Sequence, residues 1–142
     1  MKTVPTQAYK FFIMFFIGGL IYGLIEILWR GNTHWTMLIV GGLCFILIGG
    51  VNEFFTYKMS LISQMLISAI MITIVEYVSG IVINVVFGLN VWDYSTMPYN
   101  LHGQICLLYF CLWFLLSVIG IILDDFLRWK LFKEEKPKYK IL

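Results

Sequence analysis

The chain has 142 residues, enough for one domain. It is 61% hydrophobic and 13% charged, with a mean hydropathy of +0.88, whereas a soluble domain is about 25% charged. Too few polar side chains remain to cover the apolar ones in water, so a water-soluble globule is excluded and lipid is the expected solvent.

Four apolar stretches follow one another along the chain, about 11–29, 35–51, 61–87 and 105–123. A bilayer core of roughly 30 Å needs about 20 helical residues, range about 17–25. Backbone groups in lipid must bond within their own segment, so runs of this length are helices. The expected fold is an all-α membrane protein, a four-transmembrane-helix bundle over residues 1–130, with a basic cytoplasmic tail at 131–142.

The first stretch is preceded by Lys2 and Lys10, like a signal peptide. It is too long for a typical h-region and no A-x-A-like site follows, so it reads as an uncleaved helix. Gly19, Tyr22, Gly23, Glu26 and Arg30 share one of its faces at 100° per residue. Glu26 and Arg30 have the i, i+4 spacing of an ion pair. The second stretch carries Gly42, Gly49 and Glu53 on one face.

The third stretch places Ala69, Thr73, Glu76, Gly80, Asn84 and Gly88 within about a 120° arc. Small residues allow close helix approach and polar ones hydrogen-bond across it, so this face points into the bundle. Glu76 lies near mid-span, where an ionisable group is a functional-site candidate by default. It is suited to holding a cation, a proton or a polar solute; a packing carboxyl is the alternative. Between the third and fourth stretches runs GLNVWDYSTMPYNLHGQ, with no Lys or Arg. Trp92, Asp93, Asn100 and His102 make it a polar, aromatic cap. The expected site is a cavity opening outward, with Glu26, Asn84 and Asp93 near its mouth and Glu76 about 12 Å below Asn84 by helix rise.

The fourth stretch shares a face with His102, Tyr109, Trp113, Gly120 and Asp124; Glu53 and Asp124 are expected to be solvated at the inner boundary. The segment DDFLRWKLFK reads first as a stop-transfer anchor; its composition also suits a headgroup layer, with basic groups on anionic lipid. A faint parallel repeat pairs Glu26, His34 and Glu53 with Glu76, His102 and Asp124, with spacings that do not match closely.

Placing the N-terminus inside puts nine of the ten basic residues inside and only Arg30 outside. The positive-inside rule therefore gives a multi-pass protein of the cytoplasmic membrane with both termini cytoplasmic. Cys44, Cys106 and Cys111 sit in apolar runs at no metal spacing, and two histidines make no metal site. No P-loop, GxSxG, HExxH or GxGxxG is present. No cofactor, metal or nucleic acid is expected, and the reading is non-enzymatic.

The runs RGNTHW, GGLCFILIGGVNE and EYVSGIVINVVFGLNVWDYSTMPYNLHGQICL resemble the ABC-transporter type IV, or CmpB-like, family of small bacterial membrane proteins. The pattern is E-x3-G-x3-N, then WDYS, P-x-N and G-x-I-C. It is carried by Glu76, Gly80, Asn84, Trp92, Asp93, Tyr94, Ser95, Pro98, Asn100, Gly103, Ile105 and Cys106, and the likeness spans about Gly18 to Trp113. The resemblance implies a permease component and brings no ligand with it. It adds weight to Glu76, Asn84 and Asp93.

The expected function is thus a small transporter or permease component. Its candidate ligand- or ion-binding residues are Glu76, Asn84, Glu26, Asp93, Tyr22, Trp92, Asn100 and His102. Expected partners are membrane lipids, a second copy, and a separate ATPase or membrane subunit. Two alternatives stay open. One is a non-catalytic scaffold subunit. The other is a lipid-acting enzyme using Asp93, His102 or Glu26 at the outer face, where general acid–base groups must lie within hydrogen-bond reach.

Overall fold

A computed structural model describes residues 4–55, 59–134, 139 and 141; for residues 4–7 and 52–55 it describes the backbone alone. Four helices dominate. They are α1 (Val4–Arg30), α2 (Trp35–Phe55), α3 (Leu61–Gly80) and α4 (Leu107–Phe132). Among the described residues, 8–30, 61–86 and 107–132 are long and apolar enough to cross a membrane, while the apolar part of α2 is the shorter Trp35–Val51. The Glu53 side chain, Lys2, Lys58, Lys136, Lys138 and Lys140 lie outside what is described.

The helices pair as two hairpins, α1 on α2 and α3 on α4, and α2 packs against both members of the second hairpin. Small residues bring α1 and α2 close together. A methyl group at Gly19 would lie 2.5 Å from the Leu38 carbonyl oxygen, and one at Gly42 would lie 2.7 Å from that of Phe15. The two central clusters are apolar. Ile48, Leu61, Met65, Ile72 and Ile121 form one; Met37, Val40, Ile83 and Trp92 form the other.

Local chemistry sets the ends of α3 and α4. The Ser60 hydroxyl accepts a hydrogen bond from the Ser63 amide at 3.2 Å and caps α3. Beyond Gly80 the same helix widens into a π-helical turn at Ile81–Val86, and Gly88 (φ +66) ends it. The fourth helix begins two residues later than the apolar run, because Ile105–Cys106 forms a short antiparallel ladder with Asn100–Leu101. It also continues nine residues past Leu123. The charged segment from Asp124 stays helical until Lys133 turns left-handed at φ 57.

At that end Asp124 is 1% exposed, contrary to the solvated role expected of it. Its carboxylate fills the space left by Gly49, and Arg128 Nε bonds it at 3.2 Å. Arg128 also reaches Glu134 at 3.7 Å, and Glu134 pairs with Lys10 at 2.7 Å. These pairs tie the start of α1 to the end of α4. The opposite end carries Arg30 and the loop that follows α3.

Candidate functional site

The loop at 88–104 is built by its own polar side chains. The Asp93 carboxylate accepts from the Ser95 amide at 2.9 Å. Asn100 donates to the Met97 carbonyl at 2.8 Å and accepts from the Gly103 amide at 3.0 Å. The Tyr94 amide bonds the Gly103 carbonyl at 2.7 Å. Gly103 adopts φ +72, which few side-chain-bearing residues tolerate. Asp93 is exposed, and the Ser95 amide holds its carboxyl below the usual aspartate range.

Three helices anchor this loop. From the π-helical turn that continues α3, Asn84 Nδ2 donates to Gln104 Oε1 at 2.8 Å, and Asn84 Oδ1 accepts from the amides of Val91 at 2.7 Å and Trp92 at 3.4 Å. Trp92 is buried, and its indole N–H donates to the Gln104 carbonyl at 2.9 Å. Gly80 makes the fit possible, since a methyl group there would come within 2.5 Å of Gln104 Oε1. Tyr77 and His102 Nδ1 bond at 2.8 Å. From α1, Arg30 donates to the Val91 carbonyl at 3.4 Å. From α4, Tyr109 stacks on Tyr94 with ring centroids 4.7 Å apart.

Tyr94 carries the loop into the bundle. Its hydroxyl donates to Glu76 Oε2 at 3.1 Å, while the Trp113 indole N–H donates to Oε1 at 3.2 Å. Burial, and then the neighbouring Glu76, push the Tyr94 phenol well above its ordinary range, so the hydroxyl remains a proton donor. Glu76 is 7% exposed, and among the described residues it has no Lys, Arg or His partner.

Glu76 borders an inner cavity of about 100 Å³, shared with Tyr22, Met37, Cys44, Ile72 and Trp113. A second cavity of about 290 Å³ opens between α1 and α4, where Tyr22, Ile25, Trp113 and Leu116 adjoin the inner one. Glu26, Arg30, Trp29, Tyr94 and Tyr109 line its loop end. Glu26 accepts from Thr33 at 2.6 Å and lies 3.7 Å from Arg30, so the expected pair forms but is not the tightest contact of that carboxylate.

The expected site residues therefore divide. Glu76, Glu26 and Tyr22 line the two cavities. Asn84, Trp92, Asp93, Asn100 and His102 line neither of them; they fold the loop or fasten it to α3. The second cavity opens sideways, between α1 and α4, with polar and aromatic groups at its loop end. Tyr94, Trp113 and Tyr109 complete the site, and Gln104 receives the loop's anchor. Tyr109 and Trp113 shared a face in the helical pattern, but the pairing of Glu76 with a loop tyrosine has no signature in spacing. Among the described residues no group of His, Cys, Asp or Glu is placed to hold a metal, and the three cysteines are unpaired.

The family described as "Putative ABC-transporter type IV" matches residues 9–134. The chain belongs to this family. The match runs from α1 through the loop to the end of α4, so it takes in both cavities and the Tyr94–Glu76 contact. No match to the chain is found among curated proteins or among solved structures.

Proposed function

We propose that this member of the ABC-transporter type IV family is a transport-related subunit of the cytoplasmic membrane. In this reading it holds a solute beside Glu76, and the 88–104 loop is released as the solute binds. The observation that carries the reading is the hydrogen bond from Tyr94 to Glu76. It joins the loop to an intramembrane carboxylate bordering a cavity, so a solute that claims Glu76 also releases the loop. Below Glu76, buried atoms of Thr73, Ser68 and Gln64 on α3 lack protein hydrogen-bond partners, and such atoms favour water or a passing polar group.

The chain has no nucleotide-binding motif, so an ABC-type role calls for a separate ATPase subunit. The function is non-catalytic in this account. Asp93, His102 and Glu26 each bond a different local partner, an arrangement that favours positioning over acid–base work. The test is solute counterflow in proteoliposomes, with and without a co-reconstituted ATPase subunit, for the wild type and Glu76→Gln. Accumulation of a labelled small solute by wild type but not by the variant is expected. Tyr94→Phe should speed amide exchange across 94–104.

A second reading is a scaffold subunit whose carboxylates are structural. It is favoured by one observation: both Glu76 oxygens already have protein donors. No counterflow under any condition, together with loss of assembly in Glu76→Gln, would establish it in place of transport.

A further inference from the structure

We infer that the paired cavities take a small organic cation with a hydrocarbon or aromatic body, its charge beside Glu76 and its body in the α1–α4 cleft. This rests on the transport-related reading and names the ligand class for that site.

Charge complementarity is the first argument. Two carboxylates, Glu76 in the inner cavity and Glu26 in the outer, line these adjoining cavities against a single basic side chain, Arg30, which lies 3.7 Å from Glu26. Glu76 is left without a cationic partner among the described residues. A buried carboxyl holds its negative charge more readily with a counter-charge beside it, so an incoming cation is favoured over an anion.

The second argument is the wall around that carboxylate. Tyr22 and Tyr109 flank Trp113 with ring centroids 6.1 and 6.2 Å away, tilted by 48° and 43°. Tyr22 and Trp113 line both cavities and Tyr109 lines the outer one, and aromatic faces attract ammonium groups, with Trp the best of the partners. A bare metal ion or ammonium fits less well, because the remaining lining is Ile25, Leu112, Leu115, Leu116 and Ile119. An alkyl or aryl body fills that part. Leu115 and Ile119 are 61% and 59% exposed, so the cleft opens to the side, where a lipophilic cation partitioned into the bilayer would enter.

Benzyltrimethylammonium is the probe, and neopentylbenzene its uncharged carbon isostere. The intact protein, in nanodiscs of phosphatidylglycerol, is dialysed against labelled benzyltrimethylammonium. Saturable one-to-one binding is expected, at least about tenfold weaker in Glu76→Gln and unaffected by an equal free concentration of neopentylbenzene. In case Glu76→Gln does not fold, a diazirine derivative of the ammonium is photolysed on wild type. Labels on Tyr22, Tyr109 or Trp113 support the site, and labels only elsewhere overturn it. Adding phosphatidylethanolamine separates the two sources of such a cation: competition assigns a lipid headgroup and its absence a free solute, the cationic class standing in both. Equal displacement by neopentylbenzene, with Glu76→Gln binding like wild type, overturns the cation while leaving a solute cavity. No saturable binding of either probe overturns both.

Discussion

Asn84 concentrates more of the loop's anchoring than any other side chain at that end. Its amide satisfies Gln104 on one side and two backbone N–H groups on the other. Asn84→Ala strands these groups in a buried setting, at a cost of roughly 1–3 kcal/mol. The variant should melt lower in detergent, and the amides of Val91 and Trp92 should lose exchange protection while those of α1 keep theirs. Asp93 acts by charge. Its carboxyl titrates below the ordinary aspartate value because the folded loop supplies the Ser95 amide. A depressed folded-state pKa contributes stability that is present above the unfolded value, about 3.9, and lost as pH falls through the lower folded value. Protection of the Ser95 amide should therefore hold at pH 5 and fade only in strong acid. In Asp93→Asn, whose amide oxygen still accepts, that acid-dependent fading should vanish; its persistence would assign it to another group.

The elements were more legible in the sequence than their contacts. Run length and lipid physics located four helices, because a buried backbone in hydrocarbon leaves few options. The arc from Ala69 to Gly88 marked the inward face of α3 and its π-helical continuation at Ala69, Glu76, Gly80 and Asn84, all buried, while Thr73 is half-buried and Gly88 is exposed past the helix end. What helical periodicity could not give was the loop. Its fold depends on side chains bonding backbone, as Asn100 and Asp93 do, and such bonds have no period. Nor did it distinguish Asp124 from an interfacial acid, since burial there depends on the missing side chain of Gly49 on a different helix. That pair makes a prediction at this scale. A methyl group at position 49 would overlap the Asp124 carboxylate, so α2 and α4 must separate or the Asp124–Arg128 contact must break. Gly49→Ala should cost roughly 1–3 kcal/mol by overpacking, read as a lower melting temperature, and Asp124→Ala in the same chain should recover part of it. Full additivity of the two losses would show that they do not touch.

At the scale of the whole molecule the two ends differ in charge. Lys10, Arg128, Lys130 and Lys133 gather where α1 starts and α4 finishes, held together by the Lys10–Glu134 and Arg128–Glu134 pairs. The loop end has Arg30, which is engaged with Glu26 and the Val91 carbonyl. Basic residues near helix ends are retained on the cytoplasmic side, and anionic lipid on that face draws them further, by about 1 kcal/mol per residue near the surface. The tail end is thus predicted to face the cytoplasm and the loop the outside, with the α1–α4 cleft opening into the outer half of the bilayer. Cysteine labelling in whole cells reads this directly. Cys44 and Cys106 are shielded and Cys111 sits on α4 within the span, so wild type sets a low baseline for a membrane-impermeant maleimide. Thr96→Cys, on the exposed loop, should label in intact cells. Lys133→Cys should label only after permeabilisation. The opposite pattern would turn the cleft toward the inner leaflet, and a solute would then reach Glu76 from the cytoplasmic side.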